Sequence, residues 1–431
     1  MRLHSLKLPL ILLNPAVTRV PMRALRALNR SGKRSLSSLE GPAAGRWRAL
    51  RLAKAWLDGE LITRHRGQWV VNSFLPPFPG KAFDRLFENL LSGRHLSPVS
   101  AFLAVTSECP YDCWHCSFKN RAEGDHPTAA WLRLIGELAD LGASVLGFTG
   151  GEPLARPDLP ELVAAASSRG AAPMLFTTGF GLDPALARRL KDAGLWALCV
   201  SLDSHIPEEH DRCRGHRGAF DTAVAALRLS RATGFYTMSA SVASRGYVEG
   251  RRHLPLYALA RSLGVQEFRI VEPMPCGKLK DAGADALLTP AQVDELRRFH
   301  VETNRKGRLP KVCAFNQVES PEFFGCGGGT QHLFVDAAGE VCPCDFTPLS
   351  FGNAFSEPLE PIWLRMNQAM GDNPRRHCFI QRHHKLVQDF AARSGRYPLP
   401  PELSCQVCEL AGSEPLPDYF AMITAGKGGG A

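Results

Sequence analysis

The sequence has no long apolar run. The only early one, residues 8–13, is far shorter than the roughly 20 residues that cross a bilayer, and it stops at Asn14-Pro15 without an A-x-A-like cleavage site. We therefore predict neither a transmembrane helix nor a signal peptide.

Acidic residues are scarce at the start of the chain. Residues 1–57 hold 12 Lys or Arg against the single acid Glu40, a local charge of +11 in a chain of net charge +9. Apolar residues recur near helical spacing in 21–30 and 46–57, with arginines on another stripe, so we predict a basic, helical N-terminal region over residues 1–95.

Two interpretations of these basic helices stay open. Their apolar faces could pack on the rest of the protein and leave the arginines in water. Alternatively they could lie on an anionic membrane, where each cation near the surface contributes about 1 kcal/mol. We expect no nucleic-acid partner, because no aromatic-basic binding motif accompanies the charge.

A disulfide framework is not indicated. Of the 13 cysteines, six follow residue 320, and in a chain of 431 residues this uneven placement favours cofactor ligation. An exposed, reduced metal cluster suits the cytoplasm. We predict that location, with peripheral contact at the inner face of the membrane if the basic helices bind lipid.

Three cysteines stand close together in Cys109-Pro-Tyr-Asp-Cys113-Trp-His-Cys116, directly after the apolar run 101–105. Three thiolates can hold three irons of a [4Fe-4S] cluster and leave the fourth iron open to a small molecule, whereas structural zinc needs four ligands. Taken alone, the loop could also be half of a zinc site or belong to a ferredoxin-like electron carrier. The spacing favours the cluster with an open iron.

From about residue 97, short apolar runs alternate with helical segments, which is typical of a parallel sheet with crossover helices. The predicted strands are 101–106, 145–149, 174–178, 198–202, 237–243 and 267–271. The predicted helices are 129–141, 157–168, 184–193, 219–233 and 253–263. Six β/α units are too few to close an eight-stranded barrel, and function is expected at the carboxyl ends of the strands.

The second of these strands ends in Thr149-Gly150-Gly151-Glu152-Pro153. Two glycines let the backbone approach a ligand closely, and Glu152 offers an anionic acceptor beside them. Together with the cysteine loop, this segment resembles the radical S-adenosylmethionine (radical SAM) superfamily. The resemblance implies an α/β fold, with a partial (β/α)6 TIM-like barrel as its core.

The same resemblance implies a [4Fe-4S] cluster and SAM as cofactors. The cluster ligands, which are also the catalytic residues, would be Cys109, Cys113 and Cys116, and the amino group of SAM would be held by Gly150, Gly151 and Glu152. The implied reaction is reductive cleavage of SAM to methionine and a 5′-deoxyadenosyl radical, which abstracts hydrogen from a substrate. A reducing partner such as a flavodoxin or ferredoxin would then be needed.

The fourth strand ends in Val-Ser201-Leu-Asp203-Ser204, and His-Asp-Arg-Cys-Arg214-Gly follows. Similar segments in peptide-maturing radical SAM enzymes imply that Ser201 contacts the ribose of SAM and Arg214 its carboxylate. Ser204 stands where those enzymes usually have glycine, and the spacing to Arg214 is about one residue longer. Asp203 and Arg214 could instead form a structural ion pair.

Beyond residue 290 the composition changes, and two short apolar strands around an Asp336-Ala-Ala-Gly339 turn predict a hairpin. This part resembles the SPASM or twitch extension of radical SAM enzymes, which binds auxiliary iron-sulfur clusters. The candidate ligands are Cys326, Cys342, Cys344, Cys378, Cys405 and Cys408. Two fully ligated clusters would need eight thiolates, so we predict one auxiliary [4Fe-4S] cluster.

Some cysteines keep a second interpretation. Cys342 could be a spare ligand or a buried thiol, and Cys313 could be recruited as a ligand. The C-x2-C pair of Cys405 and Cys408 could bind zinc. We expect small buried side chains at the remaining positions, Cys199, Cys213 and Cys276.

The predicted organisation is a basic region over 1–95, a barrel over 96–290, an auxiliary cluster domain over 291–415 and a flexible tail over 416–431. The resemblance favours maturation of a peptide or protein, while the basic N-terminal region favours a membrane lipid or isoprenoid. No leader-peptide domain is recognisable ahead of the barrel. A non-enzymatic electron carrier is the alternative of another class, and it would leave the Gly-Gly-Glu segment without a role.

Overall fold

The computed structural model describes residues 57–91, 97–121, 124, 126–371 and 373–424. They form one nine-stranded sheet and a separate two-stranded hairpin. The strands are β1 (Thr63–His65), β2 (Gln68–Val70), β3 (Ser100–Ala104), β4 (Val145–Thr149), β5 (Ala172–Thr177), β6 (Ala197–Ser201), β7 (Tyr236–Val242), β8 (Glu267–Val271), β9 (Lys311–Ala314), β10 (His332–Val335) and β11 (Val341–Cys342).

Helices connect and cover these strands. They are α1 (Lys81–Leu91), α2 (Thr128–Leu141), α3 (Leu159–Ser168), α4 (Pro184–Asp192), α5 (Pro207–Arg214), α6 (Ala219–Thr233), α7 (Arg245–Glu249), α8 (His253–Ser262), α9 (Pro290–Arg305), α10 (Phe315–Val318), α11 (Leu359–Met370), α12 (Phe379–Ser394), α13 (Pro401–Ala411) and α14 (Asp418–Thr424). No helix in these described ranges is long and apolar enough to cross a bilayer.

The six predicted strands are confirmed as β3 to β8, and each pairs in parallel with the next in chain order. Their apolar residues are buried on both faces, as expected where helices cover a parallel sheet. The sheet then gains one strand at each edge, since β9 pairs with β8 and β10 pairs with β3. Among the described strands nothing joins β9 to β10, so the barrel is open between them. This agrees with the predicted partial barrel.

The predicted hairpin is present, with Phe334 of β10 opposite Cys342 of β11. Sequence reasoning did not foresee that the first strand of this hairpin lies in the barrel sheet, with His332 opposite Ser100 and Val335 opposite Leu103. Strands from both sides of residue 290 therefore share one sheet. The proposed division at residue 290 marks a change in composition and not a break in the hydrogen bonding.

The described part of the N-terminal region covers the amino end of the barrel. Val70 is fully buried against the first residues of several strands, among them Val145 and Tyr236. The ammonium group of Lys311 donates to the carbonyl oxygens of Val70, at 2.7 Å, and Val71, at 3.0 Å. The two predicted amphipathic stretches lie outside the described residues, apart from Leu57.

Candidate active site

A cavity of about 360 Å³ opens at the carboxyl ends of the barrel strands. Parallel strands bring the residues that follow them to this single end of the sheet, which is where parallel barrels place their sites. Many of the predicted site residues line its wall, namely Cys109, Cys113, Cys116, Gly150, Gly151, Ser201 and Arg214. The structure thus brings together residues more than 100 positions apart in the chain.

Backbone hydrogen bonds to the segment that ends α5 hold the cysteine loop in place. Asp112 N donates to the carbonyl oxygen of Arg214 at 3.0 Å, and Trp114 N donates to that of Cys213 at 3.2 Å. These two hydrogen bonds connect the loop to the end of α5. Its thiols differ in exposure, since Cys109 is exposed and Cys113 is buried.

The donor set of this loop, three thiols, has the chemistry of iron-sulfur cluster ligands. In the described ranges no three Cys, His, Asp or Glu side chains converge closely enough to hold one metal ion. A [4Fe-4S] cluster binds each thiolate at a different iron, so its ligands stand apart around the cluster. The three cysteines of this loop all line one cavity, where a cluster could be bound.

The glycine loop after β4 packs directly against the cysteine loop. Gly151 N donates to the Thr106 carbonyl oxygen at 2.8 Å, and Glu152 N donates to that of Glu108 at 2.7 Å. A Cβ on Gly151 would come within 3.0 Å of three backbone atoms of Ser107 and Glu108, so no side chain fits there. Gly150 has φ 125°, a conformation that favours glycine.

Glu152 lies beneath the cavity wall. It is fully buried, and its carboxylate accepts hydrogen bonds from the Thr177 hydroxyl (2.6 Å), the Leu154 N–H (3.0 Å), and both the N–H (2.8 Å) and hydroxyl (2.5 Å) of Thr178. Burial raises its pKa, and the threonine hydrogen bonds oppose that shift. Glu152 ties the turn after β5 to the glycine loop, while Thr177 and Thr178 themselves line the cavity.

Ser201 and Arg214 reach the cavity from β6 and α5. Arg214 forms a buried ion pair with Asp203, with 2.8 Å between nitrogen and oxygen, and its Nη1 lies 3.7 Å from the Cys113 sulfur. Burial opposes the charge on Arg214, yet the Asp203 carboxylate keeps its pKa above the ordinary value. The structural ion pair is therefore present, and Arg214 also borders the cavity.

The six late cysteines separate into groups. The thiols of Cys326 and Cys378 are near enough to shift each other's pKa, and Cys344 is near enough to interact electrostatically with both. The interaction with Cys378 holds the pKa of Cys326 below its ordinary value. These three thiols are late cysteines that the structure brings together.

The other three late cysteines lie apart from that set. Cys342 is fully buried on β11, where the Arg121 guanidinium donates to its sulfur at 3.5 Å. Cys405 and Cys408 are three residues apart on α13, and the Cys408 sulfur is 3.6 Å from that of Met370.

Sequence reasoning missed two features of the cavity wall. Arg121, five residues after Cys116, forms a buried ion pair with Asp336 of the hairpin turn at 3.4 Å, and both residues line the cavity. Glu272, the residue after β8, lies on the same wall. Position was the signal available in the sequence for each of them: Arg121 follows the cysteine loop, and Glu272 follows a barrel strand. Cys276, predicted as a small buried side chain, also borders the cavity.

The cavity, the open parallel barrel and the cysteine loop define an iron-sulfur enzyme that acts at the carboxyl ends of barrel strands. Comparison with known families agrees. The family model described as the radical SAM superfamily matches residues 103–252. The model of the SPASM iron-sulfur cluster-binding domain matches residues 326–388.

Similar proteins include an AdoMet-dependent heme synthase of Methanosarcina barkeri, 28% identical over 285 residues, which are 60% of this chain and 80% of the relative. A PqqA peptide cyclase of Gluconobacter oxydans is 31% identical over 277 residues, 62% of this chain and 76% of the relative. Among solved structures, Streptococcus suis SuiB bound to its precursor peptide SuiA is similar, with a TM-score of 0.51 and 17% identity over 65% of this chain and 68% of SuiB.

These matches show that the chain belongs to the radical SAM superfamily and carries a SPASM domain near its C-terminus. It is an enzyme, and its cofactors are SAM and [4Fe-4S] clusters. The alternative of a non-enzymatic electron carrier is thereby set aside.

Proposed function

We propose that this enzyme matures a peptide or protein, using SAM to abstract hydrogen from an unactivated C–H bond. The observation that carries the proposal is a cavity bounded by two parts of the chain. One side consists of the cysteine loop and the glycine loop, while Asp336 and Phe346 of the SPASM domain close the other. Two of the similar proteins are named for peptides: the PqqA peptide cyclase, and SuiB, whose structure contains its precursor peptide SuiA. This likeness supports a peptide or protein as the substrate class.

The residues of this chain would bind and orient the reactants. Cys109, Cys113 and Cys116 would hold the cluster that supplies the electron for SAM cleavage. The backbone of Gly150 and Gly151 allows a ligand to approach closely beside that cluster. Ser201 and Arg214 offer polar groups at the same wall.

The SPASM domain would hold the auxiliary cluster through Cys326, Cys344 and Cys378. We further propose a flavodoxin or ferredoxin as the reducing partner. Placing the reactive carbon against the bound cofactors and excluding water is the protein's share of the chemistry.

The experiment uses hydrogen transfer to find the substrate class. The anaerobically reconstituted enzyme is given unlabelled SAM, dithionite and one of three fractions of its source cells grown in D₂O: peptides and proteins, lipids, or tetrapyrroles. Abstraction moves deuterium into 5′-deoxyadenosine, which mass spectrometry detects. The Cys109→Ala, Cys113→Ala, Cys116→Ala variant is the control and should form no 5′-deoxyadenosine.

We expect deuterium in 5′-deoxyadenosine from the peptide fraction alone. Labelling from the lipid fraction alone would overturn the proposal in favour of membrane lipid or isoprenoid chemistry, and labelling from tetrapyrroles would favour a reaction like that of the heme synthases. Membrane attachment through residues 1–57 stays a prediction, because residues 1–56 lie outside the described structure.

A further inference from the structure

Glu272 has no assigned role, although its position is unusual. It follows β8 directly, at the end of the barrel where the cavity opens, and its side chain forms part of the cavity wall. The residue is only 8% exposed. A buried carboxylate needs partners, because taking the charge out of water is costly unless hydrogen bonds replace the lost hydration.

Two side-chain amides from different helices supply those partners. Asn316 of α10 donates from Nδ2 to Oε1 at 2.7 Å, and Gln381 of α12 donates from Nε2 to Oε2 at 2.5 Å. The backbone carbonyl of Asn316 is itself held by Arg297 Nε at 3.0 Å. One carboxylate thus joins a barrel strand to two helices beyond residue 290.

The second of these helices is the one that carries an auxiliary cysteine. Gln381 comes three residues after Cys378, which is the N-cap residue of α12. The backbone N–H of Phe379 in the first turn of this helix also lies near the Cys326 thiol. A shift of this turn would therefore move Cys378 and change its position relative to Cys326.

The chemistry of the contact explains why the residue is acidic. An ionised carboxylate only accepts hydrogen bonds and has two oxygens, so it can receive one amide from each side. Glutamine at this position could accept from one amide but would turn its own NH₂ group toward the other. Among the described residues no cation forms an ion pair with Glu272, and its carboxylate accepts hydrogen bonds from the two amides. Burial raises the pKa of the nearby Glu319 carboxyl group, and Glu272 is near enough to add to that rise.

We propose that Glu272 is a positioning residue that sets the place of the first turn of α12, and with it the auxiliary cysteines, relative to the SAM cavity. This inference rests on the assignment of Cys326, Cys344 and Cys378 to an auxiliary cluster under the proposed function. Because Glu272 also borders the cavity, a substrate seated there would lie beside the residue that holds the auxiliary site.

The test measures the auxiliary cluster by itself. In the Cys109→Ala, Cys113→Ala, Cys116→Ala background, the reduced fraction of that cluster is followed by EPR at a fixed solution potential. The variants are Glu272→Gln, Gln381→Met, and the exchange Glu272→Gln with Gln381→Glu, in which the new glutamine donates to the new carboxylate. Glu360→Gln, which removes an exposed acid from α11, is the matched control.

We expect Glu272→Gln and Gln381→Met to change the ratio of reduced to oxidised cluster at least tenfold or to alter the EPR line shape. The exchange variant should restore the ratio and the line shape of the background protein, and the control should not differ from that background. Unchanged spectra and ratios in both single variants, or an exchange variant no better than Glu272→Gln, would overturn the positioning role. If the protein with the three Cys→Ala changes binds no cluster, the assignment of Cys326, Cys344 and Cys378 to an auxiliary cluster is wrong, and this inference is wrong as well. SAM cleavage by the enzyme with intact Cys109, Cys113 and Cys116 would not be affected by that result.

Discussion

At the scale of single residues, the site depends on contacts that leave no room for a side chain. Replacing Gly151 by Ala should push the glycine loop away from the cysteine loop, because the new Cβ would overlap backbone atoms of Ser107 and Glu108. Overpacking of this kind costs about 1–3 kcal/mol. We expect at least a tenfold loss of SAM affinity, measured by isothermal titration of the reconstituted protein.

The matched control is Gly246→Ala in α7, where a Cβ would meet nothing within 4 Å. Alanine suits a helix better than glycine, so this variant should bind SAM normally and be as stable as the wild type or slightly more stable. Equal SAM affinity in both variants would show that the glycine loop does not form the SAM site.

Glu152 shows how far residue-level reasoning from the sequence extends. The Gly-Gly-Glu segment was predicted to meet the ligand, and the glycines do line the cavity. The carboxylate accepts hydrogen bonds from Thr177 and Thr178, a contact that was not predicted from the sequence. That contact follows from the register that sets Phe148 opposite Leu175, and strand register is a property of the assembled sheet.

At the scale of secondary-structure elements, the barrel strands were predictable because each is a short apolar run between turns. The predicted ends agree with β3 to β8 to within two residues. β9 was not predicted, since Lys311-Val-Cys-Ala is short and begins with a charge. The pairing of β10 with β3 was also missed, because nothing local to residues 332–335 specifies a partner more than 200 positions earlier.

The amino end of the barrel gives a prediction about pH. Lys311 is fully buried, and burial lowers its pKa from 10.5 to about 8. Between those two values Lys311 binds more protons in the unfolded chain than in the folded one, so this residue by itself contributes up to about 3 kcal/mol of increase in the free energy of unfolding as the pH rises. Below pH 8 the lysine is charged in both states and contributes no slope.

Denaturant unfolding at several pH values between 7.5 and 10.5 measures this slope. Lys311→Met should lose this contribution, so the difference between its unfolding free energy and that of the wild type should change with pH, whereas Lys306→Met, which changes an exposed lysine at the end of α9, should follow the wild type at every pH. The same slope in all three proteins would mean that Lys311 is not the group responsible. Lys311→Met should also be less stable at neutral pH, because it leaves the carbonyls of Val70 and Val71 without their donor.

At the scale of the whole molecule, we propose that the cysteines divide between two cluster sites and a remainder that binds no cluster. Reconstituted protein should therefore bind more iron than one cluster can account for. The Cys109→Ala, Cys113→Ala, Cys116→Ala variant should keep an iron-sulfur absorption band, since Cys326, Cys344 and Cys378 are untouched. Iron and sulfide assays with visible absorption make the measurement.

Two further changes in that variant sharpen the result. Adding Cys326→Ala should remove the band, because this thiol contacts Cys378 and lies near Cys344. Adding Cys342→Ala should leave it, because that thiol is packed against Arg121. Iron near zero before either addition would reject the auxiliary cluster altogether.

The pairing of β10 with β3 also has a consequence for synthesis on the ribosome. His332 emerges 232 residues after its partner Ser100, and at 5–20 residues per second this is a delay of roughly 10 to 50 s. Until then one edge of β3 has no neighbour, and an unpaired strand edge invites association with other chains. The nascent enzyme must therefore wait, with that edge uncovered, for a strand that belongs to its last third.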